Sequence, residues 1–227
     1  MNIVVTGAGK GIGLALVRQF LRAPEHRVWT CSRDISALQA MASPQLIAEQ
    51  LDITTATATE ISQRVSRHFP TVDILIHNAG VLINHPFEST SLDDWHRIFE
   101  VNLFSVVKIN QALLPLLKKS TAAHIVNIGS MGGVQGSSKF PGLSAYSASK
   151  AALANLTECM AEELKADGIH VNCLALGAVD TEMLRTAFPD YNADMKSTEM
   201  AAFIADFSLN QRTYFNGKIL PVAATTP

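Results

Sequence analysis

The sequence predicts an α/β protein with a doubly wound, mostly parallel sheet between two layers of helices. Short runs rich in Ile and Val alternate with longer segments of helical period. These apolar runs show little polar alternation, which is typical of strands buried on both faces. The alternation continues from end to end without a linker, a repeat or a low-complexity tract. We therefore expect a single domain over residues 1–227, with no separate substrate domain.

Seven segments have the composition of strands. They are NIVVT (2–6), RVWTC (27–31), LIAEQL (46–51), DILIH (73–77), HIVNI (124–128), IHVNCLA (169–175) and, more weakly, KILPV near the end. Helical patterns between them cover about 12–22, 35–42, 55–68, 91–117, 144–166 and 197–208. The fourth helix is long, and we expect Pro115 in its last turn because proline interrupts a helix interior.

Charge and composition exclude several classes of protein. The 227 residues carry 18 basic and 20 acidic side chains, with no basic stripe, so nucleic acid is not an expected partner. No apolar run approaches the ~20 residues of a membrane span, and the start lacks signal-peptide features. A cytoplasmic location follows as the prediction. Three widely spaced cysteines, expected in or near the core, and seven histidines without metal-ligand spacing predict no disulfide framework and no metal site.

The first strand runs into a glycine-rich turn, TGAGKGIG (6–13), which opens an apolar-periodic helix. Glycine allows a tight turn and lets backbone amides approach a pyrophosphate, while the helix N-terminus offers free N–H groups. This strand-turn-helix context predicts a dinucleotide site. The candidate contacts are Gly7, Gly9, Lys10, Gly11, Ile12 and Gly13.

The identity of the dinucleotide depends on charge at the end of the second strand. Arg33 stands twenty residues beyond Gly13, where an acidic residue would bind the ribose of NAD. Arginine there suits a 2′-phosphate, and Lys10 would add a second positive charge. Asp34 reads as the N-cap of the next helix, although its carboxylate could instead take the ribose. We therefore expect NADP(H) as the preferred cofactor, with NAD(H) as the alternative.

A second motif, GLSAYSASKAAL (142–153), places Tyr146 and Lys150 four positions apart. Residues four apart share one face of a helix. A nearby ammonium favours the phenolate form of a tyrosine, whose pKa is ordinarily ~10, and makes it useful in acid-base chemistry. The spacing alone is also compatible with a solvated helix surface.

Taken in order, these motifs resemble those of the short-chain dehydrogenase/reductase family. The resemblance covers Asn2 to about Thr181. Its motifs are TGAGKGIG (6–13), LDI (51–53), NAG (78–80), VNLFSVV (101–107), a serine after the fifth strand and YSASK (146–150). It implies a Rossmann-type fold with strand order 3-2-1-4-5-6-7, a cofactor half at about 1–125 and a catalytic and substrate half at about 126–227.

The resemblance also implies roles for individual residues. Tyr146 would be the general acid or base, Lys150 would lower its pKa and hold the nicotinamide ribose, and Ser130 would polarise the substrate carbonyl. Asn102 would hold a water molecule that links Lys150 to solvent. The implied cofactor contacts are Asp52 and Ile53 at the adenine, Asn78, Ala79 and Gly80 in the cleft, and Gly177, Val179 and Thr181 at the nicotinamide.

Several positions depart from the family pattern. Ser130 and Tyr146 are sixteen positions apart, about three more than usual, so GVQGSSKFPG is expected to carry an insertion at the cleft mouth. We prefer Ser130 to Ser137 and Ser138 as the catalytic serine because it directly follows a strand. Leu176 replaces the family's proline, which predicts a looser segment near the nicotinamide. The terminus, NGKILPVAATTP, lacks the usual Asp-Gly-Gly ending.

Four further features leave alternatives open. His77, where an asparagine is frequent, is expected to be a strand-end residue bonded to backbone, and His85 and His96 are expected at the surface. EMLRTAFPDYNADM leaves room for a modest lid, in which Met183, Leu184 and Phe188 either face substrate or pack. Apolar faces in LTECMAEEL and ALLPLL suggest a homodimer or homotetramer.

Two functions follow from this pattern. The first is an NADP(H)-dependent oxidoreductase (EC 1.1.1.-) that reduces a small or medium ketone, aldehyde or oxo-acyl compound. The second is a non-catalytic or weakly catalytic dinucleotide-binding sensor or signalling protein on the same fold, because a fold does not determine function. The set of Ser130, Tyr146, Lys150 and Asn102 favours the enzyme.

Overall fold

The computed structural model describes residues 1–224 and contains a seven-stranded sheet in which all neighbouring strands run parallel. Its order is β3-β2-β1-β4-β5-β6-β7. The strands are β1 (Asn2–Thr6), β2 (Arg27–Ser32), β3 (Leu46–Gln50), β4 (Ile74–His77), β5 (His124–Ser130), β6 (His170–Leu176) and β7 (Ile219–Val222). The predicted fold class and strand order are confirmed. The last three residues of the terminal segment, 225–227, lie outside the described residues.

Eight α-helices connect the strands within the described part of the chain. They are α1 (Gly11–Phe20), α2 (Ser36–Gln39), α3 (Ala58–Ser66), α4 (Leu92–Phe99), α5 (Ser105–Leu117), α6 (Ser144–Glu163), α7 (Glu182–Ala187) and α8 (Ser197–Asn210). The helix predicted at 91–117 is observed as an unbroken helical stretch, in which an unpredicted π-helical segment, Glu100–Phe104, separates α4 from α5. Pro115 lies in the last turn of α5, as expected.

The core has two halves, one on each face of the sheet. In β1, Ile3 and Val5 pack towards α1 and α8, whereas Val4 packs towards α3 and α5. This alternation follows from the two-residue period of a strand. Cys31 and Cys173 are buried as expected, but Cys159 is exposed on α6. With both faces covered, the sheet holds the loops at its carboxyl ends in fixed positions.

The apolar residues predicted to form a subunit interface belong only partly to the chain's own core. In α5, Ala112, Leu113, Leu116 and Leu117 are buried, and in α6 so is Ala161, whereas Leu156 is half-buried. The homodimer or homotetramer stays a prediction. Among residues 1–224, no helix has the length and apolar character needed to cross a membrane.

Candidate active site

The glycine turn packs directly against the loop that follows β4. Gly7 has φ of +70°, and a Cβ there would lie 2.6 Å from the Cα of Ala79. A Cβ on Gly13 would collide with the side chain of Asn78. The Asn78 amide donates hydrogen bonds to the carbonyls of Thr6 at 3.1 Å and Gly7 at 2.9 Å. The structure thus brings together predicted cofactor residues from both loops.

The N-terminus of α1 at this turn has no side-chain cap. Its first N–H groups have no partner within the helix and carry the positive end of the dipole, so they suit an anion. The Lys10 ammonium, predicted to lie with Arg33, instead pairs with Glu182 of α7 at 2.7 Å, and both side chains are exposed. The second positive charge predicted beside the cofactor is therefore paired with a carboxylate of α7.

The loop after β2 carries an exposed Arg33. Next to it, the Asp34 carboxylate accepts hydrogen bonds from the backbone N–H of Ser36 at 2.9 Å and from its hydroxyl at 2.6 Å. These bonds lower the Asp34 pKa. The prediction that Asp34 is the N-cap of this helix is wrong, because Ile35 occupies the N-cap of α2 and Asp34 precedes it, bonded to Ser36 in a local turn. After β3, the Asp52 carboxylate likewise accepts from the backbone and hydroxyl of Thr54, which lowers its pKa. Ile53, the second residue predicted to border the adenine, is half-buried beside it.

The three candidate catalytic side chains meet where β5 ends and α6 begins. Ser130 is the last residue of β5, and Tyr146 and Lys150 share one face of α6. The Ser130 hydroxyl lies close enough to the Tyr146 phenol to favour its ionised form. The buried Lys150 ammonium donates to the Ile128 carbonyl at 2.8 Å and lies 5.9 Å from the centroid of the Tyr146 ring.

Burial dominates the protonation of this cluster. It raises the Tyr146 pKa above its ordinary value of 10.0, and the Ser130 hydroxyl lowers it by less. Burial also lowers the Lys150 pKa to about 8. The Tyr146 pKa therefore lies above its ordinary value, not below it as was expected, and the Lys150 ammonium is bound to a backbone carbonyl. At neutral pH the cluster therefore consists of a neutral phenol, which can donate a proton, and a charged amine.

Asn102 lies in the π-helical segment, and its side chain is completely buried. Its amide donates to the hydroxyl of Ser149 at 3.0 Å and bonds the backbone of Val81. A Cβ on Gly80 would lie 3.4 Å from the Asn102 Oδ1 and 3.7 Å from the Lys150 Nζ. Asn102 thus sits beside Lys150 and holds the loop after β4. Its role in positioning a water molecule stays a prediction.

The segment after β6 crosses above the glycine turn. A Cβ on Gly11 would lie 3.6 Å from the Thr181 Cγ2, and the Thr181 hydroxyl caps α7 by accepting from the Leu184 N–H at 3.2 Å. Gly177 donates its N–H to the Val222 carbonyl at 2.9 Å, and Val179 is buried. Leu176 is buried within β6. The strand and the core therefore anchor this segment at the residue that was expected to loosen it.

The inserted segment after Ser130 is folded by its own polar groups. The Ser137 hydroxyl donates to the Met131 carbonyl at 2.5 Å. The Lys139 ammonium donates to the carbonyls of Gly132 at 2.9 Å and Val134 at 2.6 Å. Ser137 therefore stabilises the insertion. This agrees with the preference for Ser130 as the serine that polarises the substrate carbonyl.

The histidines differ in surroundings. His77 is buried, and its Nε2 lies 3.0 Å from the Asn110 side-chain oxygen, so the expected backbone partner was wrong. Burial lowers the His77 pKa to about 4. His85 and His96 are exposed, as expected. Within residues 1–224, no three His, Cys, Asp or Glu side chains form a group that could hold a metal ion.

No pattern in the sequence predicts the contacts of Asn84 and Glu182. Asn84 donates to the Ala187 carbonyl at 2.8 Å, which ties the end of α7 to the loop after β4. Glu182 ties the start of α7 to Lys10. Neither residue belongs to a motif that could have identified it.

Comparisons with known proteins agree with this architecture. Residues 1–192 match the model of the short chain dehydrogenase family. A rhamnolipids biosynthesis 3-oxoacyl-(acyl-carrier-protein) reductase of Pseudomonas aeruginosa is 32% identical, over 96% of this chain and 93% of the relative. A meso-2,3-butanediol dehydrogenase of Serratia marcescens is 30% identical, over 97% and 92% of the two chains.

A solved structure shows that the similarity extends to the fold. The active-site complex of Pseudomonas aeruginosa RhlG with NADP is 29% identical and superposes with a TM-score of 0.85, over 98% of this chain and 94% of the other. The extent of the family match, together with these relatives, establishes that the chain belongs to the short chain dehydrogenase family.

Proposed function

We propose that this protein is an NADPH-dependent reductase that converts a small or medium ketone, aldehyde or oxo-acyl compound to an alcohol. The observation that carries the proposal is the meeting of Ser130, Tyr146 and Lys150 beside the glycine turn. Residues of about 1–125 would bind most of the cofactor, and those of about 126–227 would carry catalysis and substrate binding. The reductase and dehydrogenase relatives support this class of reaction.

The residues present fit NADP(H). The uncapped N-terminus of α1 supplies donors for a pyrophosphate. Arg33 is exposed, while one oxygen of the Asp34 carboxylate, which could have bound the ribose of NAD, already accepts two hydrogen bonds from Ser36. The NADP complex of the matched structure supports the same preference, and NAD(H) stays the alternative cofactor.

The chain's own groups would perform the proton transfer. NADPH, when bound, supplies the hydride. The Ser130 hydroxyl and Tyr146 phenol would hydrogen-bond the carbonyl oxygen, and Tyr146 would donate its proton there as negative charge develops. The raised Tyr146 pKa keeps that proton in place at neutral pH. Lys150 would stabilise the resulting phenolate and hold the ribose, and Asn102 would support a water path that returns the proton.

The loss of NADPH absorbance with a panel of carbonyl compounds tests the proposal, with wild type and Tyr146→Phe compared. We expect turnover by wild type and a loss of roughly 10²- to 10⁴-fold in the variant, with the Kd for NADPH nearly unchanged. Tyr214→Phe is the matched control, because Tyr214 is an exposed tyrosine. A Tyr146→Phe rate equal to wild type would contradict the role. NADPH binding without turnover of any compound would favour the dinucleotide sensor.

A further inference from the structure

Two segments flank the candidate catalytic residues: the insertion, 131–143, which joins Ser130 to the start of α6, and the first part of the lid, 181–188, which begins at Thr181 beside Gly11. We call these two segments the rim. Their aromatic side chains meet edge to face, with the ring centroids of Phe140 and Phe188 6.4 Å apart. Phe140 is 46% exposed, so its ring can still contact a ligand. Phe188 is half-buried, so the pair offers an apolar surface, mostly that of Phe140, with a preferred contact geometry.

The loop after β4 is hydrogen-bonded to both segments of the rim. Asn84 donates to the Ala187 carbonyl of the lid at 2.8 Å. The backbone N–H of His85 donates to the Gly142 carbonyl of the insertion at 3.1 Å. Gly142 also packs against the Asn84 side chain so closely that a Cβ would collide with it. The insertion and the lid are therefore positioned by the same two residues, and their aromatic rings form one surface.

The rim has no uncommitted charge. Its two segments contain three charged residues, Lys139, Glu182 and Arg185. Lys139 is bound to carbonyls of the insertion itself. Glu182 pairs with Lys10, and Arg185 pairs with Asp180. A carboxylate or phosphate on a substrate would therefore have to compete with these partners for a counter-charge.

We propose that the rim selects uncharged carbonyl compounds with an apolar ring next to the carbonyl group, and that Phe140 and Phe188 determine this specificity. The inference rests on the proposed function and adds the class of substrate. The ring would pack against Phe140 and Phe188 at the mouth, while the carbonyl reaches Ser130 and Tyr146 further in. Because the charged side chains of the rim already have partners, ionised analogues of the same shape would bind less tightly.

Three substrates separate the effects of charge and of the ring. Ethyl benzoylformate and benzoylformate share a phenyl ring, but only the second is charged, whereas ethyl pyruvate is an uncharged ester without the ring. NADPH oxidation by wild type should give a kcat/KM for ethyl benzoylformate at least about tenfold above that for benzoylformate. Phe140→Ala and Phe188→Ala should each raise KM for ethyl benzoylformate roughly three- to tenfold and leave that for ethyl pyruvate nearly unchanged.

Phe203→Ala is the matched control, because Phe203 is 45% exposed and lies on α8, outside the rim. It should leave both KM values unchanged. Equal or faster reduction of benzoylformate would overturn the inference, and so would rim variants that affect the two esters equally. Both results would leave the proposed reductase activity intact. If none of the three substrates is reduced although NADPH binds, the substrate class is wrong, and turnover of other compounds in the carbonyl panel shows separately whether the reductase activity stands.

Discussion

Asn102 and Val81 are joined by a pair of hydrogen bonds between a side-chain amide and one residue's backbone. The Asn102 Oδ1 accepts from the Val81 N–H at 2.9 Å, and its Nδ2 donates to the Val81 carbonyl at 3.0 Å. The pair ties the π-helical segment to the loop after β4. Because that loop includes Gly80, which borders Lys150, one buried side chain positions both the candidate cofactor cleft and the candidate proton path.

Replacing this amide should destabilise the fold. Asn102→Ala leaves the Val81 backbone groups and the Ser149 hydroxyl without their partner, and each buried unsatisfied group costs about 1–3 kcal/mol. We expect a loss of roughly 2–4 kcal/mol in the free energy of unfolding, measured by urea denaturation. Asn155→Ala, at an exposed position of α6, should change it by less than about 0.5 kcal/mol. Equal stability of the two variants would contradict the structural role of the amide.

Reversing the charge at Arg33 should change cofactor preference. Arg33→Asp removes the proposed partner of the 2′-phosphate and introduces repulsion, so the Kd for NADPH should rise roughly 10- to 100-fold, with a much smaller change for NADH. Arg22→Asp makes the same charge change at an exposed residue just after α1 and should leave the ratio of the two Kd values as in wild type. Equal losses for both cofactors in Arg33→Asp would remove the NADP assignment.

The buried amine predicts the alkaline side of the pH profile. Lys150, with a pKa near 8, loses its charge before Tyr146, whose pKa lies above 10.0, loses its proton. The kcat/KM for NADPH, which reports groups of the free enzyme, should therefore fall as the pH rises through about 8. In Lys150→Arg, where the charge persists, that fall should move to higher pH, whatever the absolute rate. An unchanged profile in this variant would assign the titration to another group.

Acid should destabilise the folded chain through two buried imidazoles. The pKa values of His77 and His124 are lowered from 6.5 to about 4 by burial. The unfolded chain thus binds more protons between these values, so stability is fully present above pH 6.5 and is lost as the pH falls towards 4. Each histidine contributes on the order of 3 kcal/mol to this loss.

A single substitution tests that contribution. His77→Asn should reduce the difference in unfolding free energy between pH 7 and pH 4.5, even if its stability at pH 7 also changes. His96→Asn, at an exposed residue, should keep the wild-type difference. The same dependence on pH in all three proteins would show that His77 is already protonated or accessible in the folded state.

The sequence was most informative where one interaction determines the structure. Buried strands such as NIVVT and HIVNI are rich in Ile and Val, and all seven were predicted close to their observed positions. The glycine turn carries its own signal, because collision with Ala79 and Asn78 excludes side chains at Gly7 and Gly13. The pairing of Tyr146 with Lys150 on one helix face follows from spacing alone.

Features that depend on contacts distant in the sequence could not be predicted. The helical period continues through 100–104 without proline or glycine, so nothing marks the π-helical segment that directs Asn102 inward. Lys10 was expected to face the cofactor because it lies in the glycine turn. Its observed partner, Glu182, is 172 positions away and could not be predicted from the sequence. The Tyr146 pKa was expected to fall because the spacing to Lys150 reveals a neighbouring charge but not the desolvation that outweighs it.

The two attachments of α7 respond differently to salt. Its first residue is tied by the exposed ion pair of Glu182 with Lys10, and such pairs contribute only about 0–1 kcal/mol and weaken in salt. Its far end is tied by a hydrogen bond from Asn84 and by packed aromatic rings. Rising ionic strength should therefore loosen the contact of α7 with the glycine turn and leave its contact with the loop after β4 in place.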